Sequence, residues 1–176
     1  MSWEYTDKKR ELVRDTEIEV VLVDATECEI ERPKKQRKYY SGKKRKHMIK
    51  AQIVADEKDL RILNISFSHG SVHDFKLFCK SCVHFLKDIL LIANKGYIGM
   101  NKIHSNSLIP EKSTKRNKLT KEDRKYNSTI SKRRIYIEHV NRYIKKFRIV
   151  STRYRKKRRK FALRFSLICA IYNFEL

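Results

Sequence analysis

The residues that could do chemistry in this chain are carboxylates, and they stand out because their surroundings are basic. The 176 residues carry 43 Lys and Arg against 20 Asp and Glu, a formal charge of +23. Asp24 follows the apolar run at 18–23, so as the last residue of a buried strand its side chain would project from a sheet end into a cleft. Glu138 shares a helical segment with Arg134, Arg142 and Lys145, about 140° from the centre of that segment's apolar stripe at 100° per residue. Carboxylates at a strand end or inside a basic surface need a reason to be there. The plainest is that Asp24 is a strand-ending turn residue and Glu138 an i,i+4 partner of arginines, worth a few tenths of a kcal/mol. Asp74, three residues after Ser71, fits a capping box.

The elements that must position these groups follow from apolar periodicity. Alternation at Ile49, Ala51, Ile53 and Ala55, then at Leu63, Ile65 and Phe67, predicts a hairpin turning at 56–59. Phe75, Phe78, Cys82, Phe85 and Ile89 keep helical spacing and predict a helix over about 72–87. The run ILLIA at 89–93 predicts a second buried strand, leading into Asn94-Lys95-Gly96. Asn127 or Ser128 could cap a helix over about 129–146, burying Ile137, Val140, Ile144 and Phe147. A last helix over about 159–173 buries Phe161, Phe165, Ile168 and Tyr172. The expected class is α/β, a central mixed sheet flanked by helices, an order that also describes the ribonuclease-H-like architecture.

Charge is divided along the chain. Residues 1–31 hold ten acids against four bases, so the positive charge lies beyond Glu31, most of it in three tracts at 32–47, 111–126 and 153–160. Each alone could be a solvated loop. Together, interleaved with Tyr39, Tyr40, Tyr126 and Tyr154, they favour phosphate-backbone contact with some stacking. Four glycines and two prolines exclude a collagenous or loop-rich disordered chain. No apolar run approaches the ~18 residues that span a bilayer. Cys28, Cys79, Cys82 and Cys169 are scattered, with one unpaired CxxC, and read as reduced core residues of a cytoplasmic protein.

Several strings carry a resemblance. Val23-Asp24-Ala25-Thr26-Glu27, Glu31-Arg32-Pro33, Tyr39-Tyr40-Ser41-Gly42-Lys43-Lys44 and His47 resemble the first catalytic block of bacterial insertion-sequence transposases of the DDE type, above all the branch related to Harbinger elements. The similarity continues through Gly70-Ser71-Val72-His73-Asp74, Ala93-Asn94-Lys95-Gly96-Tyr97, Arg134-Ile135-Tyr136-Ile137-Glu138-His139, Ile144-Lys145 and Tyr172-Asn173. It implies a ribonuclease-H-like catalytic domain at 18–176. It also implies two divalent metals, Mg²⁺ or Mn²⁺, that activate water and then a DNA 3′-hydroxyl. By position Asp24, Asn94 and Glu138 are the catalytic triad, with Asp24 and Glu138 as metal ligands. His73 and Asp74 are supporting residues, and His47 and His139 read as ordinary histidines. DNA is the implied partner, a second copy of the chain a further one. The backbone contacts fall to Arg32, Lys34, Lys35, Lys43, Lys44, Arg45, Arg134, Arg142, Lys145, Arg155, Lys156 and Arg158.

Two departures matter. Asn94 stands where the family has Asp, so the second acid keeps a carbonyl oxygen but loses the charge that holds metal beside phosphates. Metal affinity and strand transfer should fall, and Asp88, at the far end of the strand, is a poor substitute. The acidic stretch at 1–17 is too short for a helix-turn-helix, which predicts a catalytic half without its DNA reader. A non-enzymatic basic nucleic-acid-binding protein and a stand-alone nuclease stand beside the transposase reading.

Overall fold

The computed structural model describes residues 10–11, 18–114 and 118–176; most of the acidic stretch at 1–17 lies outside the described residues. In chain order the elements are β1 (Arg10–Glu11), β2 (Val20–Glu29), α1 (Gln36–Tyr39), β3 (Tyr40–Ser41), β4 (Lys46–Asp56), β5 (Ile62–His69), α2 (Asp74–Lys80), β6 (Val83–His84), β7 (Leu90–Ala93), β8 (Ser107–Leu108), α3 (Lys121–Ile144), α4 (Arg148–Ser151) and α5 (Phe161–Phe174). A mixed sheet runs β3-β4-β2-β7-β8, with β5 also paired to β4. The hairpin β4–β5 and the β2–β4 pair are antiparallel, whereas β7 lies parallel to β2 and β8 parallel to β7. The α/β class holds.

Strand β2 has two buried faces, which explains its continuous apolar start. Leu22 and Cys28, with Ile30 just past the strand, face a core shared with Ile137, Val140 and Ile144 of α3 and Phe161, Phe165 and Ile168 of α5. Val21 and Val23 face the other core, with Phe78 of α2 and Tyr97. Asp24 therefore lies inside β2 rather than closing it. The strand continues because its later acids find partners: Glu27 accepts from Ser41 Oγ at 3.0 Å, and Glu29 pairs with Lys46 at 2.6 Å and Arg153 at 2.7 Å.

Three other expectations shift. Helix α2 ends at Lys80, because Ser81 folds back on Phe78 O and Cys82 takes a left-handed φ of 51°. Phe85 still packs on Phe78, rings stacked 6.4 Å apart, but from beyond the helix. Cys79 and Cys82 are consequently exposed, while Cys28 and Cys169 are buried, with burial pushing each buried thiol up to about 12. The Ser71–Asp74 capping box does not form: Ser71 Oγ donates to Lys38 O, and His73 occupies the cap position without a side-chain bond. Helix α3 begins eight residues early, at a capping box of Thr120 and Asp123. Asn127 instead clamps the preceding linker by bonding both the N–H and the carbonyl of Glu111.

Candidate active site

The site grows from the place where β2 loses its parallel neighbour. The β2–β7 register ends at Val23 and Ala93, so the next residues, Asp24 and Asn94, emerge side by side. Asn94 caps the tight turn at 95–97 by accepting from Gly96 N at 2.5 Å, and its Nδ2 donates to Asp24 Oδ1 at 2.7 Å. Gly96 is required by this packing, since a Cβ there would collide with Asp74 Oδ2 and stand 2.7 Å from Asn94 Oδ1.

Helix α3 crosses above. Asn141 Nδ2 donates to Asp24 Oδ2 at 2.8 Å, so both carboxylate oxygens are held by amides from distant segments. Arg134 and Glu138, two turns and one turn earlier on that helix face, form an ion pair at 3.7 Å. Glu138 is 56% exposed, so the structure pairs it with Arg134 rather than seating it against Asp24. Among the described residues no group of three His, Cys, Asp or Glu side chains is arranged to hold a metal ion. Buried polar atoms crowd this region, however: Thr26 Oγ1, Arg134 Nε and Asn141 Oδ1 have no hydrogen-bond partner. Such orphans are rare in cores, and each calls for a partner such as a water or an ion.

Burial raises the proton affinity of Asp24, opposed first by the positive charge of Arg134 and then by the Asn94 hydrogen bond. A carboxyl whose folded pKa lies above its unfolded value binds more protons folded than unfolded, so its contribution falls as pH rises above about 4. Asp24→Asn should therefore stabilise the protein at neutral pH by on the order of 1 kcal/mol, the orphaned Asn141 Oδ1 turning to accept the new amide. Thermal melting at pH 4 and pH 7 checks this: the gain should be smaller at pH 4. Tyr97, wholly buried beneath the site, has its phenol held well above its usual range by burial and by the charges of Asp24 and Asp74, and donates to Gln52 Oε1 at 3.4 Å.

On the opposite sheet face Lys50 is buried between acids. Its Nζ reaches Asp74 Oδ1 at 2.6 Å, Val72 O at 2.7 Å and Glu27 Oε1 at 3.6 Å. Asp74 is thus tied to β4. His73 and His139 are exposed, and His47 packs its edge on Tyr40. Asn141 and Lys50 carried no signal in sequence, because their partners lie 117 and 24 residues away.

The basic side chains Arg32, Lys34, Lys35, Lys43, Lys44, Arg45, Arg142, Lys145, Arg155 and Lys156 are exposed. Arg158 lies over the Tyr39 ring at 5.0 Å. Tyr154 is not free for stacking: it is buried, paired with Ile30 beside β2, and accepts from Arg164 at 2.9 Å. No helix among the described residues is long and apolar enough to cross a membrane.

An acid inside one strand and an amide just past the end of its parallel neighbour thus meet under a helix of mixed charge. Residues 23–173 fit the model of the DDE superfamily endonucleases, and the chain belongs to that family. Over 170 residues it is 45% identical to the probable transposase for insertion sequence element IS702 of Microchaete diplosiphon, covering 96% of this chain and 62% of that protein. The chain thus spans less than two thirds of its relative's length. No solved structure matches the chain significantly.

Proposed function

We propose that this chain is the catalytic domain of a DNA transposase, built on a ribonuclease-H-like sheet and weakened at its second acid. The observation that carries the reading is the contact of Asn94 with Asp24 beneath α3, at the register position where two parallel strands part. The sheet order, an antiparallel hairpin beside β2 and parallel strands beyond it, supports the architecture. The relative's name supports transposition as the process.

A divalent cation, Mg²⁺ or Mn²⁺, fits the donors in kind. Asp24, the Asn94 carbonyl and the partnerless Asn141 Oδ1 are hard oxygens, with Glu138 the second carboxylate on the same helix face as Asn141. When bound, such a cation would polarise a phosphodiester and lower the pKa of water. The protein's own part is to orient the Asp24 carboxylate through two amides and to set Arg134 close enough to offset its charge. With Asn94 in place one negative charge is missing from that donor set, so binding of DNA should outlast cleavage of it. That loss favours, as a second reading, a DNA-binding domain with little strand transfer.

The exposed cations of the three tracts would contact DNA phosphates in the bacterial cytoplasm. Log affinity against log salt should then fall with a slope steeper than about −3, measured by fluorescence anisotropy on duplex DNA. A shallower slope contradicts the footprint. Cleavage is tested by nicking and strand-joining assays of Asn94→Asp beside the unaltered chain.

A further inference from the structure

Beside the site lies a cavity that cation chemistry leaves unused. Strand β8 runs parallel to β7 with Leu108 opposite Ile92, so two residues further along Pro110 comes level with Asn94. Both segments therefore leave the sheet at the end where Asp24 and Asn94 meet, the end at which open α/β sheets take their ligands. The segment after β8 is held in place by α3: Asn127 accepts from Glu111 N at 2.7 Å and donates to Glu111 O at 3.1 Å. The cavity measures about 490 Å³. Ile98, Ile109, Pro110 and the Tyr126 ring give it apolar and aromatic walls, and Ser107 and Glu111 line it with polar groups. Tyr126 is 38% exposed, so its ring is open to a ligand. The buried Ser107 Oγ has no hydrogen-bond partner among the described residues, a vacancy that a polar ligand would fill.

We propose that this cavity takes one unpaired nucleobase of the DNA strand lying in the site, guanine above all. The inference rests on the reading of the chain as a catalytic domain that handles DNA. The volume is that of a small-molecule site, with room for one base and its sugar and none for a duplex. A base therefore reaches it only out of the stack, with its face against Tyr126, a contact open to every base. The edge of the base then meets the polar groups. Ser107 can donate or accept, whereas the Glu111 carboxylate only accepts. Guanine sets two neighbouring donors, its ring N–H and its amino group, against one carboxylate. Thymine has a single N–H between two carbonyls that a carboxylate repels. Lys112, at the same cavity, is placed for the phosphate that follows the base. The domain would thus read sequence next to the bond it cuts.

Fluorescence anisotropy in metal-free buffer tests this with three duplexes alike except at one central bulge: an unpaired guanine, an unpaired thymine or an abasic residue. The guanine bulge should bind about tenfold tighter than the abasic one, the worth of a stacked base, with thymine between them. Tyr126→Ala should bring all three to one affinity, and Tyr126→Phe should leave their order intact. Glu111→Gln should bring thymine level with guanine, since an amide both donates and accepts. The clamp survives that change because Asn127 bonds only the backbone of residue 111. Equal binding of the three duplexes by the unaltered chain overturns the proposal. So does a preference that survives Tyr126→Ala, or a guanine preference that survives Glu111→Gln. None of these readouts involves a cation or a cut, so such a result leaves the reading of Asp24 and Asn94 standing. Failure to bind any of the three duplexes would overturn the functional reading together with the pocket.

Discussion

Asn94→Asp is expected to lower the melting temperature in metal-free buffer and to raise it when Mn²⁺ is added, with DNA nicking appearing alongside. The first effect follows from the contact it breaks. Asn94 Nδ2 donates to Asp24 Oδ1, and a carboxylate there sets like charge against like in a buried place, costing on the order of 1–3 kcal/mol. The bond from Gly96 N survives, since either side chain offers an oxygen. The second effect follows from the same charge. A second carboxylate gives a divalent cation the negative partner that an amide lacks, and ligand-shell changes of this kind move metal affinity by about 10–100-fold. At a hundredfold excess over Kd, binding would return about 2.7 kcal/mol, enough to offset most or all of the variant's cost. Equal melting with and without Mn²⁺, and no more nicking than in the unaltered chain, would show that position 94 is not part of a cation site.

Lys50→Ala should be the most destabilising single change outside the apolar core. The Lys50 side chain is 8% exposed and neutralises Asp74 and Glu27 while also satisfying Val72 O. Its loss leaves two carboxylates and a carbonyl without their common donor, and breaking a buried pair this way costs about 3 kcal/mol. For a chain of this size that is a fall of roughly 8 °C in melting temperature. Lys50→Met combined with Asp74→Asn should recover much of the loss, because it removes the lysine together with its nearer carboxylate, while Glu27 keeps Ser41. A single Lys50→Ala variant that melts within 2 °C of the parent would contradict the assigned network, a threshold set at about a quarter of the expected shift.

Much of the fold was legible because apolar spacing reports which faces are covered. Residues 18–23 and 89–93 read as buried strands, and both form the parallel centre of the sheet. The pairing of Asp24 with Asn94 was legible only through the motifs, since nothing local shows which strand lies beside which. What could not be read was set by distant partners. Strand β2 runs on past Asp24 because Glu27 and Glu29 meet Ser41, Lys46, Lys50 and Arg153. Helix α2 stops early although Phe85 keeps helical spacing, because a residue after a turn can fill the same gap as one on the helix. The start of α3 was hidden in a lysine-rich tract, where Thr120 and Asp123 form a cap that composition alone obscures. Asn141 was overlooked because an asparagine on a helix declares nothing until its carboxylate partner is seen.

The central claim is that positions 24 and 94 share one cation-binding point beneath α3. Crystals of Asn94→Asp soaked in Mn²⁺ and measured for anomalous scattering test it most directly. One anomalous peak should lie between the two carboxylates, about 2.1 Å from an oxygen of each. A map with no peak there, or with its strongest peak elsewhere on the protein, would contradict the claim.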